Sequence, residues 1–204
     1  MAGPTEIRDE QLLQMMRAGD EEALTTLYRR RQGAVYRFVL AISGSVALAE
    51  DVTQEVFLAL IRDNRGYDPA RGSLSAYLLG MARHHALRFL KHDRTYVSIE
   101  PGASESADMT PLAGDDPHSI LSRRETIQGV QQAILRLPAH YREAVVLCEL
   151  NEMSYEDAAS VLGCSVGTVR SRLHRGRALL IQKLTGGSRV ETARAAVDPT
   201  RCPV

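Results

Sequence analysis

Apolar residues recur at helical spacing along most of the chain, and the breaks between the stripes mark the elements. Leu12, Leu13 and Met16 predict a short amphipathic helix over residues 6–18. Gly19 stops it and Asp20 caps the next. Leu24, Leu27, Tyr28, Val35 and Val39 carry a long helix from Glu21 to about Ile42. After the break Ser43-Gly44-Ser45, Leu48, Val52, Val56 and Leu60 line one side of a third helix, Val46 to about Asp63. The stretch NRGYDPARGS, Asn64 to Ser73, is a loop by its Gly, Pro and Asn content. A fourth helix follows from Leu74 to about Arg94, with Leu74, Tyr77, Leu78, Met81 and Leu90 available to a core.

The pattern then lapses. Residues 96–122 carry Glu100, Glu105, Asp108, Asp115 and Asp116 among prolines, glycines and serines, the composition of a flexible acidic linker. Helical spacing resumes from Arg123: Ile127, Val130, Ile134 and Leu137 up to Pro138, then Val145, Val146 and Leu147 within Ala139–Leu150. Asn151 to Met153 turns the chain. The predicted fold class is therefore all-α. Two small helical domains, residues 5–95 and 123–186, are joined by the linker over 96–122, and a tail covers 187–204. Thr185-Gly186-Gly187 is expected to end the ordered part, with Val190 to Val197 able to form a short helix against a partner.

The most informative stretch is Ser154 to Leu184. Ser154 followed by Asp157 marks a helix start, Ala158, Ala159 and Leu162 give it an apolar stripe, and Gly163 suits the left-handed turn that ends it. Ser165 is placed to cap a second helix whose buried side would be Val169, Leu173, Leu180 and Leu184. The small Ala159, then Gly163, then Val169, have the spacing of a helix-turn-helix. The second helix bears Arg170, Arg172, Arg175, Arg177 and Lys183 with no acid among them. Guanidinium forks on such a helix read guanine edges or hold phosphates in a major groove. The plainer alternative, a solvated basic face, fits the charge but not the Ala/Gly/Val spacing.

Charge changes the picture in one respect. With 25 basic and 25 acidic residues the chain is formally neutral, so any nucleic-acid surface must come from segregated charge. The segregation is visible again in the fourth helix, where Arg83, His84, His85, Arg88, Lys91, His92 and Arg94 face one acid, Asp93. Beside a loop with Tyr67 and Asn64 expected to be exposed, that suits a single strand held by charge and stacking. It suits equally a basic helix end complementing its own dipole. On the third helix, Glu50, Asp51, Gln54 and Glu55 form a polar patch, either solvated or a docking surface for a basic partner. The run Arg29-Arg30-Arg31 reads as a solvated face or as lying near nucleic acid. Cys148, Cys164 and Cys202 lack C-x-x-C spacing, Cys164 fits the helix-turn-helix core, and the adjacent histidines lack metal-ligand spacing. No metal, cofactor or catalytic group is expected. No apolar run approaches membrane-spanning length and no signal-peptide core opens the chain, so a cytoplasmic location is expected.

Four segments together resemble one family. GTVRSRLHRGR preceded by SYEDAASVLG, ILRLPAHYREAVVL, AEDVTQEVFLAL and LSAYLLGMARHHALRFLKHDR resemble, in order, the conserved regions of sigma-70 family RNA polymerase sigma factors of the extracytoplasmic-function (ECF) type. The likeness covers about residues 8–184. It implies a promoter-specificity subunit without chemistry of its own. The N-terminal domain would be the region 2 domain, meeting core polymerase and the opened −10 element; the C-terminal domain would be region 4, meeting the −35 duplex. Asp51, Gln54, Glu55 and Leu58 would dock on the clamp helices of the polymerase largest subunit. The loop with Asn64 and Tyr67 would capture an unstacked base, with His84, Arg88 and Lys91 beside it. Ser165, Thr168, Arg170, Ser171, Arg172, His174, Arg175 and Arg177 would face the −35 duplex. An anti-sigma factor would be a further partner. Two positions depart from the family: Tyr77 stands where Trp is frequent and His84 where Asn is, which leaves the recognised −10 base undefined. A free-standing helix-turn-helix regulator remains the alternative; it leaves the N-terminal loop and polar helix without a role.

Overall fold

The computed structural model describes residues 7–63, 66–96 and 117–195, with side chains over 7–63, 66–91 and 126–185. Among these residues every regular element is helical: α1 (Asp9–Arg17), α2 (Glu21–Ser43), α3 (Val46–Arg62), α4 (Leu74–Tyr96), α5 (Pro117–Leu135), α6 (Ala139–Val145), α7 (Tyr155–Leu162) and α8 (Val166–Ala195). A single 3₁₀ turn, Pro69–Arg71, lies in the α3–α4 loop.

The punctuation acts as the residue types require. The Asp20 carboxylate accepts from the Glu22 and Ala23 amides at 2.9 and 3.1 Å, satisfying two of the orphan donors at the start of α2. Gly44 ends that helix at φ 75°, and Ser45 caps α3 through the Leu48 amide at 3.2 Å. α2 packs along α3 and α4, burying Leu27, Val35, Phe38 and Val39 against Val56, Leu60, Leu78 and Leu79. Each such side chain contributes about 1.5–3 kcal/mol by leaving water. Two of the three arginines in the Arg29–Arg31 run are only partly exposed and are engaged within the chain. Arg30 (2.8 Å) and Arg31 both pair with Asp9, which is only 6% exposed, and so pin α1 to α2. Tyr28, expected in the core, is exposed and meets Phe57 edge-on at 4.8 Å.

In the C-terminal half three boundaries differ from those the sequence predicts. α5 starts at Pro117, not at Arg123; proline is favoured at a first helical position, where its missing N–H is no loss. The predicted Ala139–Leu150 helix changes pitch at Val146. From there to Leu150 it is π-helical, because both the amide and the side-chain nitrogen of Asn151 reach the Val146 carbonyl, at 3.1 and 2.9 Å. α8 does not end at Thr185-Gly186-Gly187 but continues to Ala195. Two glycines cost about 1 kcal/mol each relative to alanine. That weakens a helix without stopping it, and no proline follows until Pro199.

The two halves share a core. Val146, Leu147, Ala158, Val161 and Leu162 of the C-terminal half belong to the same buried cluster as Leu27, Phe38 and Leu79. A second, smaller cluster of Leu137, Val145 and Leu173 holds α8 against α6. The contact is close at Gly176, where a Cβ would lie 2.7 Å from Val145 Cγ2.

Candidate nucleic-acid interfaces

The helix-turn-helix is built from α7 and α8. Ser154 Oγ accepts from the Asp157 amide at 3.0 Å, and Gly163 turns the chain at φ 62°, a conformation that side chains with a Cβ adopt only with strain. Ser165 then caps α8 as expected. Its Oγ accepts from the Thr168 amide at 3.2 Å and lies 2.9 Å from the Thr168 hydroxyl. Val169 and Leu173 are buried, Leu180 is half-buried, and Leu184, the fourth residue of the predicted stripe, is exposed. Cys164 is half-buried against the core.

Fixing Val169 and Leu173 inward turns the opposite side outward. Ser165, Arg170, Ser171, His174 and Arg175 are exposed and lie within the first three turns. The Arg170 guanidinium sits 5.7 Å from the centre of the Tyr155 ring, which orients it without neutralising it. Two candidates are partly engaged elsewhere. Arg172 is half-buried with a nitrogen 3.9 Å from Cys164 Sγ, and Arg177 is paired with Glu149 through Nε at 3.0 Å. Thr168 is half-buried beside its cap.

The second site gathers the α3–α4 loop and the first turns of α4. A cleft of about 460 Å³ is lined by Tyr67, Arg71, Tyr77, His84 and His85, and also by Ser160 and Val161 of α7. Tyr67, expected to be exposed, is 6% exposed. Its hydroxyl donates to the Gly72 carbonyl at 3.1 Å, which braces the loop. Its ring lies 5.6 Å from that of Tyr77, inclined by 51°. Burial raises the pKa of both phenols, helped at Tyr67 chiefly by Glu10 and Asp157 and at Tyr77 by Asp63. His84, Arg88 and Lys91 are exposed along α4. Asn64 lies outside the described residues.

The third patch lies on α3. Asp51, Gln54 and Glu55 are exposed and Leu58 is half-buried, while Val52, Val56, Phe57 and Leu60 face inward. The structure adds a partner face from α2: Tyr28, Arg29, Gln32, Gly33 and Tyr36 oppose Glu50, Thr53 and Gln54 across a groove of about 630 Å³. Sequence reasoning missed that side. Tyr28, Gln32 and Tyr36 recur every fourth residue and so share one face of α2; of the three only Tyr28 figured in the sequence reading, as part of the apolar stripe.

Comparison with known proteins follows the same division. Residues 27–95 match the sequence profile of sigma-70 region 2, and residues 127–180 that of sigma-70 region 4. The chain is 34% identical over 181 residues to the ECF RNA polymerase sigma factor SigE of Mycolicibacterium smegmatis, covering 87% of this chain and 68% of that one. It is 36% identical over 163 residues to the ECF RNA polymerase sigma factor SigC of Mycobacterium tuberculosis, covering 80% and 84%. Among solved structures it superposes on the sigma factor RpoE of Bartonella quintana, crystallised with the anti-sigma factor NepR, at a TM-score of 0.61. That match has 26% identity and covers 79% of this chain and 96% of that one. CnrH in complex with the cytosolic domain of CnrY gives a TM-score of 0.64 at 23% identity over 87% and 97%, a likeness of fold.

Proposed function

Because the chain belongs to the sigma-70 family of RNA polymerase sigma factors, in its ECF group, we propose that it divides one promoter between two surfaces. The α8 face takes the −35 duplex. Arg170, Ser171, His174 and Arg175 reach base edges and phosphates, while the Ser165–Thr168 cap offers phosphate the positive end of the helix dipole. Arg172 and Arg177 belong to the edge of that footprint. The loop and α4 take the −10 strand. Unstacking one base costs a few kcal/mol, and the cleft supplies aromatic faces and hydrogen-bonding groups against that cost. Asn64 and Tyr67 from the loop, with His84, Arg88 and Lys91 on α4, are its candidates.

Asp51, Gln54, Glu55 and Leu58 carry the attachment to core polymerase, on its clamp helices, with the α2 stripe as the other lip of the groove. The chain supplies specificity and the polymerase the chemistry, so no group of its own is catalytic. By likeness to the sigma factor crystallised with NepR, an anti-sigma factor holds it inactive. No helix among the described residues is long and apolar enough to cross a membrane, which agrees with work on cytoplasmic DNA.

The observation carrying this reading is the exposed, acid-free arginine face of α8 in the same chain as the α4 cleft. In vitro transcription from a promoter library with core polymerase tests it. Start sites that depend on the chain are expected. A chain that binds a duplex operator alone and starts no transcript is instead a helix-turn-helix regulator.

A further inference from the structure

Two arginines of α8 are supported in unlike ways. Arg177 gives its N–H edge to an acid: Nε and one terminal nitrogen both reach the Glu149 carboxylate, Nε at 3.0 Å. Arg170 meets an aromatic face instead, its guanidinium lying over the Tyr155 ring at 5.7 Å from the centre. A ring attracts a guanidinium through its face and takes none of the N–H donors. The fork of Arg170 is therefore held and still free to donate, whereas that of Arg177 is held and occupied.

Tyr155 is itself fixed. It is the first residue of α7, directly after the Ser154 cap. Its half-buried ring packs against both apolar clusters, the core shared by the two halves and the smaller group of Leu137, Val145 and Leu173. Its hydroxyl meets the Arg177 guanidinium, whose pKa is raised chiefly by the Glu149 hydrogen bond and in smaller part by Tyr155. Arg170 and Arg177 are two helical turns apart on one side of α8, about 10.5 Å along the axis at about 1.5 Å per residue. One tyrosine thus serves both, its ring under the first and its hydroxyl at the second.

We propose that Tyr155 is a positioning residue for promoter reading: its ring holds the Arg170 guanidinium in the orientation that discriminates one −35 base pair. The inference rests on the assignment of the α8 face to the −35 duplex. The chemistry separates two tasks of an arginine. Attraction to phosphate needs only the positive charge, which the ring leaves in place. Reading guanine needs two parallel N–H bonds to O6 and N7 at once, so the plane of the fork must be set. A long, rotamer-rich stem does not set that plane unaided. Tyr155 therefore adds selectivity rather than attraction. Arg175, exposed on the same helix, rests on no such ring among the described residues and supplies an internal comparison.

The full-length chain tests this as wild type, Tyr155→Leu, Tyr155→Phe, Arg170→Ala and the Tyr155→Leu/Arg170→Ala double variant. Each is used with core polymerase to select from a promoter library randomised over the −35 positions, and alone on the selected duplex over a salt series. The position whose preference disappears in Arg170→Ala is the one Arg170 reads. Tyr155→Leu should reduce discrimination at that position about two- to fivefold, the range of an exposed cation–π contact. It should leave the other positions and the fall of affinity with salt unchanged, because Arg170 keeps its charge. Tyr155→Phe keeps the ring and should select as the wild type does. In the double variant the loss of the ring should add nothing. Full discrimination in Tyr155→Leu, or an equal loss at every position, overturns the proposal. If Tyr155→Leu loses its helical circular dichroism, Tyr155→Met takes its place under the same criteria. A wild type without preference at any −35 position, or Arg170→Ala with every preference intact, sinks the assignment of the α8 face and this inference with it.

Discussion

The α8 face and the α4 cleft hold their candidate side chains in different ways. On α8 the candidates occupy consecutive turns of one helix. Once Val169 and Leu173 face the core, the directions of Arg170, Ser171, His174 and Arg175 follow from helical geometry. In the cleft the walls come from a loop, from α4 and from α7, and Tyr67 is held by a bond to Gly72. A surface carried by one helix is robust to how the rest of the chain packs. A surface assembled from three segments is open to regulation by any of them.

The largest test of this contrast removes what orients α8. Leu173→Ala should cost about 3 kcal/mol, since the side chain is 2% exposed and its removal leaves a cavity between α6 and α8. Urea unfolding followed by circular dichroism measures it. A loss below about 1 kcal/mol would mean that α8 is not oriented by that contact. Next, Arg175→Ala should weaken binding to a selected −35 duplex by about 1–3 kcal/mol if its fork reads a base. An unchanged sequence preference would move it to the phosphate backbone. Tyr67→Phe removes one buried hydrogen bond and should cost about 1 kcal/mol of stability. Transcription should then fall more than −35 duplex affinity does, because the α8 face does not depend on the loop.

Arg177→Ala should have the smallest effect on duplex affinity, smaller than Arg175→Ala, because Glu149 already neutralises that guanidinium. Competition binding ranks the two variants, and the reverse order would place Arg177 inside the footprint. A pH series sharpens the cleft side. Tyr67 and Tyr77 ionise less readily in the folded chain than the ordinary phenol near pH 10.0. Their raised pKa values give stability that is intact below that pH and lost as the pH climbs through the folded values. Alkaline unfolding should accompany the last tyrosines to ionise in the ultraviolet difference spectrum. Free titration of all seven tyrosines in a chain that stays folded would contradict the burial of the pair.

Legibility varied for a physical reason. Caps and stops were readable where one residue meets its own neighbours: Asp20, Gly44, Ser45, Ser154, Gly163 and Ser165 each act within four residues of the backbone they satisfy. The continuation of α8 past Gly186-Gly187 was not, because a glycine pair shifts a balance that the rest of a long helix can still win. Arg30 and Arg31 looked like surface charge because their partner, Asp9, lies in another helix. Arg83, Arg142 and Asp157 carried no sign in the sequence that their partners are Glu143, the Ile42 carbonyl and Ser73.

By itself the sequence determined an all-helical chain and an arginine-rich helix behind a tight glycine turn, since helical periodicity and i-to-i+4 chemistry are written in local order. Only the tertiary structure decided which charges pair between the two halves, that Tyr67 is buried, and that α7 walls the cleft. Those facts depend on groups up to a hundred positions apart in the chain, brought together when both halves bury one core.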